Sequence, residues 1–421
     1  MLFPSEVSET IHQKGAVSMS TSLLYHAFGI RGYQYVATDY QEGGVRFRIT
    51  KEFKDCRCSA CGSNHVASRG QVERQFRCLP IGHRPVTVVL PIPRVWCLNC
   101  GVIRQIALDF AEPRRSYTKG FARYALELCR FRTIHDVAHH LAVGWDLIKE
   151  IQKQDLSRRF GRPQLKQLRQ LAIDEIAIGR GHRYLTLVLD WESGVVVPIG
   201  RGKGAEALAA FWKRLRRCGA KIEAVATDMG PAYIEAVRRR LPNATLVFDR
   251  FHVMKLFNDK LSQLRRQLYQ RATAEHRQVL KGVRWLLVKR PEHLDPARKE
   301  RERLDEALKL NEPLATAYYL KEELGEFWEQ DDEDEATAFL LDWLARAEAS
   351  GISILVGLAK TLRKHALGLV AWYEYPISTG PLEATNNKIK TMLRQAYGYR
   401  DEEFFKLKIY AIHEAKYALV G

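Results

Sequence analysis

Two hydrophobic periods alternate along the chain. Within 116–151 the apolar positions Ile134, Val137, Ala138 and Leu141 follow the i, i+3, i+4, i+7 rule, behind Thr133, a residue that can cap a helix. A three-residue turn, Ala142-Val143-Gly144, leads to a second helix with Ile148 and Ile151 inward. Ala138 is small where the two helices would cross, and Val143 plugs the turn. This is helix-turn-helix spacing, although alanine stands at 142 where such turns usually carry glycine. A plain helical hairpin is the alternative. As a DNA reader, the second helix would offer Trp145, Asp146, Lys149, Gln152 and Lys153 to a groove.

From residue 171 the apolar runs shorten. Segments 171–178, 184–189 and 195–199 read as three strands, followed by a helix over 205–217 with Leu208, Trp212 and Leu215 on one face and Gly219 as its stop. A strand at 222–227, a helix at 231–240 and a strand at 245–248 come next. A three-strand meander followed by alternating helix and strand predicts an α/β domain with a mixed sheet. Residues 253–375 are almost wholly helical in pattern, and Pro381 opens one more amphipathic helix to about Arg394. Upstream, Val45-Arg-Phe-Arg-Ile49 predicts a strand, whereas residues 1–18 are polar and patternless and read as a disordered extension.

The chain has 421 residues, 46% hydrophobic and 27% charged, which excludes wholesale disorder and allows several domains. No apolar run approaches the roughly 20 residues of a membrane span. The first residues lack the basic-then-apolar order of a secretory signal. The expectation is a soluble, cytoplasmic protein without a membrane partner. A net charge of +17 favours a polyanion, because neutralising phosphates releases their condensed counterions. Part of the surplus lies in 153–170, where Lys153, Arg158, Arg159, Arg162, Lys166 and Arg169 face only Asp155. The acidic run over 322–335 reads instead as a solvated helix face.

Six of the eight cysteines fall between residues 56 and 100, and clustering of this kind inside a cell means metal rather than disulfide. Cys58-Ser-Ala-Cys61 and Cys97-Leu-Asn-Cys100 are two knuckles that together complete a closed tetrahedral site for structural Zn²⁺. Gly62 and Gly101 follow the second cysteine of each knuckle, where the turn needs a permissive backbone. Cys56 and Cys78 are spare: either could replace Cys58, or both are small buried residues.

Four acids stand out in the second half. Asp174 interrupts an apolar strand, Asp228 and Asp249 each end one, and Glu383 lies in the first turn of the last helix. A carboxylate on a buried strand is costly unless a cation or donors compensate it, and sites in α/β sheets collect at strand ends. Singly, these acids have plain readings as caps or ion-pair partners. Jointly, Asp174, Asp228 and Glu383 could hold two Mg²⁺ or Mn²⁺ ions about 4 Å apart for in-line phosphoryl transfer. Glu383, Asn387, Lys390 and Arg394 form one polar stripe, suited to a metal site continuing into a phosphate track.

These segments together resemble bacterial insertion-sequence transposases of the ISL-three family, in the DDE, ribonuclease-H-like superfamily. Ser22-Leu-Leu-Tyr-His-Ala-Phe-Gly29 is similar to the family's opening, and Cys58 to Cys100 to its zinc module. Ile173-Asp-Glu175, Thr227-Asp-Met229 and Gly380-Pro-Leu-Glu-Ala-Thr-Asn-Asn-Lys-Ile-Lys390 are similar to its three acidic motifs, with Ala396-Tyr-Gly-Tyr-Arg400 beyond the last. Asp249-Arg-Phe-His252 is similar to its Asp-x-x-His element. Leu393 departs from it, since a second basic residue is common beside Arg394. The resemblance implies a multidomain α+β chain: a zinc module over 19–110, a helix-turn-helix domain with a basic linker over 111–168, and a ribonuclease-H-like core over 169–257 and 376–421, interrupted by a helical insertion over 258–375.

It implies metal-binding catalytic roles for Asp174, Asp228 and Glu383, with Asp249 and His252 shaping the site. Trp145, Lys149, Gln152, Lys153, Arg158, Arg159, Asn387, Lys390 and Arg394 would contact DNA. The expected activity is binding of the element's terminal inverted repeats, DNA cleavage and strand transfer, by a homodimer or higher oligomer that joins the nucleoid when bound to DNA. Two rivals are a transcription regulator, which would not need three acids on a sheet, and a ribonuclease-H-like nuclease without strand transfer.

Overall fold

The computed structural model describes residues 23–179 and 181–413, in two compact units that divide between Asp155 and Leu156. The extension expected over 1–18 lies outside the described residues.

The first unit opens with helix α1 (Leu23–Phe28) and a sheet of β1 (Gln34–Gln41), β2 (Gly44–Thr50), β3 (Val66–Ile81), β4 (Arg84–Cys97) and β5 (Ile103–Gln105). Its order is β1-β2-β4-β3, with β5 on the far part of β4. The long β3–β4 hairpin turns at Gly82, whose φ of 60° is left-handed, as a tight reversal favours. Alternate residues Val86, Val88, Leu90 and Ile92 are buried with Phe76, the period-2 pattern of a sheet with one packed face. The β3–β4 pair carries the two cysteine knuckles at its open end.

Three helices follow: α2 (Lys119–Leu128), α3 (Ile134–His140) and α4 (Trp145–Phe160). Thr133 caps α3, its side chain accepting from the Asp136 N–H at 3.0 Å. Val137, Ala138, Leu141, Ile148 and Ile151 are buried together with Phe121. Ala142 takes the left-handed turn conformation at φ 48°, where alanine pays a steric cost that glycine would not.

The second unit holds a sheet ordered β10-β9-β6-β7-β8, built from β6 (Gln170–Gly179), β7 (Arg183–Asp190), β8 (Val196–Arg201), β9 (Ala224–Thr227) and β10 (Thr245–Phe248). The β6–β7–β8 meander is antiparallel, while β9 and β10 run parallel to β6. Helix α5 (Ala209–Cys218) ends at left-handed Gly219, and α6 (Pro231–Arg240) crosses between β9 and β10. This three-antiparallel, two-parallel arrangement is the ribonuclease-H-like sheet.

An all-helical lump follows: α7 (Arg250–Arg271), α8 (Ala274–Gly282), α9 (Glu300–Lys309), α10 (Glu312–Glu326), α11 (Glu333–Ala349), α12 (Ser353–Lys364) and α13 (Ala366–Val370). Its core gathers Phe257, Leu261, Trp343, Leu355 and Leu358. The acidic run falls on the C-terminal part of α10 and on the capped first turn of α11; in the latter its carboxylates complement the helix dipole. The chain then returns through α14 (Gly380–Gln395) and α15 (Glu402–Tyr410) to cover the sheet. The expected boundary between residues 257 and 258 falls inside α7, which begins directly after Asp249. The expected 111–168 segment likewise crosses the division at 155.

Candidate active site and zinc ribbon

Strand alternation sends the side chains of β6 to two opposite layers. Ala172 and Ile176 pack with Leu382, Ile389 and Phe405 of α14 and α15, whereas Leu171 and Ile173 pack with Phe211 and Val237 of α5 and α6. Asp174 shares parity with the first set, and its Oδ2 accepts from Asn386 Nδ2 of α14 at 2.8 Å. Burial raises the Asp174 pKa, and the nearby charge of Asp228 raises it further, against the Glu175 N–H, His252 and Asn386.

Asp228 follows β9 at the strand's end. Its Oδ1 accepts the Gly230 N–H at 3.0 Å, just ahead of Pro231 at the first position of α6. A Cβ on Gly230 would sit 2.8 Å from that same oxygen. Glu383 is exposed in the first turn of α14, its N–H bonded to Thr379 O at 2.9 Å. It lies three residues before Asn386, a spacing that makes the two side chains neighbours on one helix face. The hydrogen bond from Asn386 therefore ties the helix of Glu383 to the strand of Asp174.

Asp249, 2% exposed, ends β10. Its Oδ2 accepts from Thr379 Oγ1 at 2.6 Å and lies 3.3 Å from His252 Nδ1. Burial opposes ionisation of Asp249, but the hydrogen bonds from His252 and Thr379 lower its pKa overall. Burial likewise pulls His252 down, yet the Asp249 bond and the charges of Asp174, Asp249 and Asp228 raise it. His252 thus stands among three acids.

Sequence reasoning missed Asn386 and Thr379, the two polar residues that hold this cluster. It also missed Glu175, which accepts from Tyr233 Oη at 2.6 Å on the opposite layer. Helical spacing from Glu383 could have pointed to Asn386. Nothing in the pattern marks Thr379, which reaches Asp249 across 130 positions.

In the first unit, the sulfurs of Cys58, Cys61, Cys97 and Cys100 all lie within 4.8 Å of one another. The Cys58–Cys100 and Cys61–Cys97 Sγ pairs are each 3.6 Å apart. Tetrahedral Zn²⁺ with bonds of about 2.3 Å places its sulfurs about 3.8 Å apart, so four thiolates fit a closed structural zinc site. The Cys100 backbone N–H favours the Cys97 thiolate and draws its pKa down to about 6. Gly62 and Gly101 take φ of 75° and 73°. Cys56 and Cys78 are buried at 1% and 0% outside the set. Among the described residues no other group of three potential ligands is so tight. Asp174 and Asp228 are like-charged neighbours, the charge of one raising the pKa of the other, and with exposed Glu383 they offer the hard oxygen donors that suit a divalent cation.

The expected DNA contacts divide. Trp145 is exposed, with Lys149 Nζ 5.3 Å from its ring centre, and Arg158 and Arg159 are exposed further along α4. Lys153 is half-buried. Gln152, at 9% exposed, is the buried member of the set, following Ile151 and one turn from Ile148 on the packed side. Asn387, Lys390 and Arg394 lie exposed along α14.

A ribonuclease-H-like sheet with acids on its first and fourth strands and on a late helix, beside a zinc ribbon and a helix-turn-helix, defines a DDE transposase. Residues 171–409 match the transposase family itself, 106–155 match the helix-turn-helix domain of transposase family ISL3, and 54–100 match the zinc-finger of transposase IS204/IS1001/IS1096/IS1165. The chain belongs to the ISL3 family of transposases. It is 35% identical over 364 residues to the transposase for insertion sequence element IS1001 of Bordetella parapertussis, covering 84% of this chain and 88% of that one. It is 28% identical over 375 residues to the transposase for insertion sequence element IS1557 of Mycobacterium tuberculosis, covering 82% and 83%. A solved Drosophila P element transposase strand transfer complex aligns over 72% of this chain and 94% of that one, with 11% identity and a TM-score of 0.37.

The protein is a DNA transposase, an enzyme that cleaves DNA phosphodiesters and transfers strands, and its class works with a divalent metal. No described helix is long and apolar enough to cross a membrane.

Proposed function

We propose that Asp174, Asp228 and Glu383 hold two Mg²⁺ ions and carry the chemistry at the ends of this protein's own element. The observation that supports this reading is the 2.8 Å bond from Asn386 to Asp174, which brings the third acidic segment onto the strand of the first. Bound divalent cations would polarise the scissile phosphate and favour deprotonation of the attacking oxygen. The protein's part is to hold the carboxylates ionised and oriented, Asn386 and the Glu175 N–H acting on Asp174 and the Gly230 N–H on Asp228.

Water attacks the phosphorus at the element end and breaks its bond to the 3′-oxygen, leaving a free 3′-hydroxyl and a 5′-phosphate on the flank. That 3′-hydroxyl then attacks a target phosphorus, and the target's own 3′-oxygen leaves. The cleavage step hydrolyses one phosphodiester, and the transfer step forms one as it breaks one, so no external energy source is required. Asp249, with Thr379, fixes His252 beside the acids, where its raised proton affinity suits a contact to the strand's phosphate.

The zinc ribbon and α4, through Trp145, Lys149 and Lys153, bind the terminal inverted repeats. Arg158, Arg159 and the basic residues to 169 follow phosphates onward, as do Asn387, Lys390 and Arg394 of α14. The functional segments are 19–110 for zinc, 111–168 for end recognition, and 169–257 with 376–421 for catalysis. Because two ends are joined to one target, the working form is a dimer or larger, acting on cytoplasmic DNA in the nucleoid.

The test is strand transfer in Mg²⁺ with a labelled element end, comparing the intact protein with Glu383→Ala. Joined product that disappears in the variant while end binding persists supports the assignment. Equal activity in both removes Glu383 from the site. Sequence-specific binding without any joining favours a regulator, and cleavage without joining favours a nuclease.

A further inference from the structure

Helix α6 starts beside the acid site: the Gly230 N–H is bound by Asp228, and Pro231 follows at once. From Pro231 a cleft of ≈ 550 Å³ runs along the helix, floored by buried Ile234. Arg238 and Arg239 form one wall, while Lys364 and His365, at the end of α12, form the other; Glu235 is the one acid on its lining. Arg239 also lines a second cleft of ≈ 670 Å³, with Arg240 from α6 and Lys213 and Arg216 from α5. The two clefts therefore share a wall and continue one another away from the acids.

None of Arg238, Arg239, Arg240, Lys364, Lys213 and Arg216 has an ion pair within the described residues. The field they make is felt by His365, whose pKa is lowered by burial and then by the charges of Lys364 and Arg238. Most of these cations lie in the last turn of a helix, where the dipole favours them. That effect explains each cation singly but does not require three helix ends to meet along two adjoining clefts.

We propose that this track grips the phosphate backbone of target DNA, duplex whose sequence the protein does not choose. The proposal rests on the placement of Asp228 in the active site. Ten residues of helix at 1.5 Å each span about 15 Å, roughly four base-pair steps of one strand at 3.4 Å. Arginine and lysine side chains contacting phosphate fix position without reading sequence. This matches a partner that differs at every insertion, and it leaves element-end recognition to the helix-turn-helix.

The test is equilibrium binding by the zinc-loaded full chain without added Mg²⁺ or Mn²⁺, so that its outcome does not depend on catalysis. Two duplex probes are used: one of random sequence, and one carrying the terminal repeat. For Arg238→Ala/Arg239→Ala/Lys364→Ala, random-duplex affinity is expected to fall at least tenfold at moderate salt. The log–log salt slope is expected to shrink by about 2 to 3, near 0.9 for each phosphate that the protein no longer neutralises. The terminal-repeat probe should lose less, and Arg238→Lys/Arg239→Lys in the otherwise unchanged protein should keep the slope. An unchanged random-duplex slope in the triple variant overturns the proposal. An equal loss on both probes overturns the assignment to target DNA, because the track would then hold the element end. Loss in the arginine-to-lysine variant as well would indicate a folding defect and not a charge contact, and would also overturn it.

Discussion

Asn386 of α14 donates to Asp174 of β6 at 2.8 Å, joining residues 212 positions apart. The contact does two things at once. It offsets part of the burial that raises the Asp174 pKa, and it fixes the helix on which Glu383 stands one turn earlier.

Asn386→Ala is therefore expected to move the acid limb of the pH–rate profile upward, since Asp174 must ionise to hold a cation and loses a donor to its charged form. Hydrogen bonds to charged groups are worth roughly 1.5–3 kcal/mol, or about 10- to 100-fold in rate. Cleavage measured across pH in Mg²⁺ checks this. A uniform drop with no displacement of the limb would mean that Asn386 acts only by packing.

Gly230 gives a second prediction. Its backbone is ordinary enough for alanine, at φ −69°, but a Cβ would press to 2.8 Å on Asp228 Oδ1 and 3.4 Å on its carboxyl carbon. Gly230→Ala should displace that carboxylate, lowering strand transfer at least tenfold while the melting temperature changes by a few degrees at most. Strand transfer and thermal melting on the same preparation check it. A large loss of stability with proportionate activity would contradict the argument.

The elements of the sheet were legible because each strand carries a short apolar run and each turn a glycine or proline, as at Gly219 and Pro231. The zinc knuckles were legible because four thiolates at fixed spacing have little other use. What spacing could not supply was tertiary pairing. Thr379 reaches Asp249 only because α14 returns to the sheet after the whole helical insertion. The burial of Gln152 was likewise not legible, because it depends on how α4 packs against α2 and α3, which a weakly amphipathic helix does not encode. Its neighbour Ile151 fixes that packing in the fold.

The cysteines divide into two chemical groups. Cys58, Cys61, Cys97 and Cys100 are expected to bind one Zn²⁺ per chain, and Cys97→Ala should abolish it together with sequence-specific DNA binding. Cys56→Ser and Cys78→Ser should leave the metal content at one, because neither sulfur belongs to the cluster. Cys78 is wholly buried, and burial pushes its thiol up to about 12, so it stays a neutral packing residue. Metal analysis of purified variants checks each case. Loss of zinc from a correctly folded Cys56→Ser protein would place that sulfur among the ligands.

His252 is expected to contribute to the pH dependence of stability when Mg²⁺ is absent. Its raised pKa reflects Asp249, Asp174 and Asp228 overcoming the effect of burial, with Thr379 Oγ1 3.3 Å from Nδ1 as the remaining polar neighbour. A group whose pKa is raised on folding adds stability that is fully present below its unfolded value, about 6.5, and is lost as pH climbs through the folded value. The melting temperature of the zinc-loaded protein without added Mg²⁺ should therefore fall as pH rises above about 6.5, and His252→Gln should flatten that fall. Adding Mg²⁺ should shrink the dependence in the unaltered protein, because the cation neutralises the same carboxylates that hold the imidazolium. An equally steep fall in His252→Gln would show that other groups govern it.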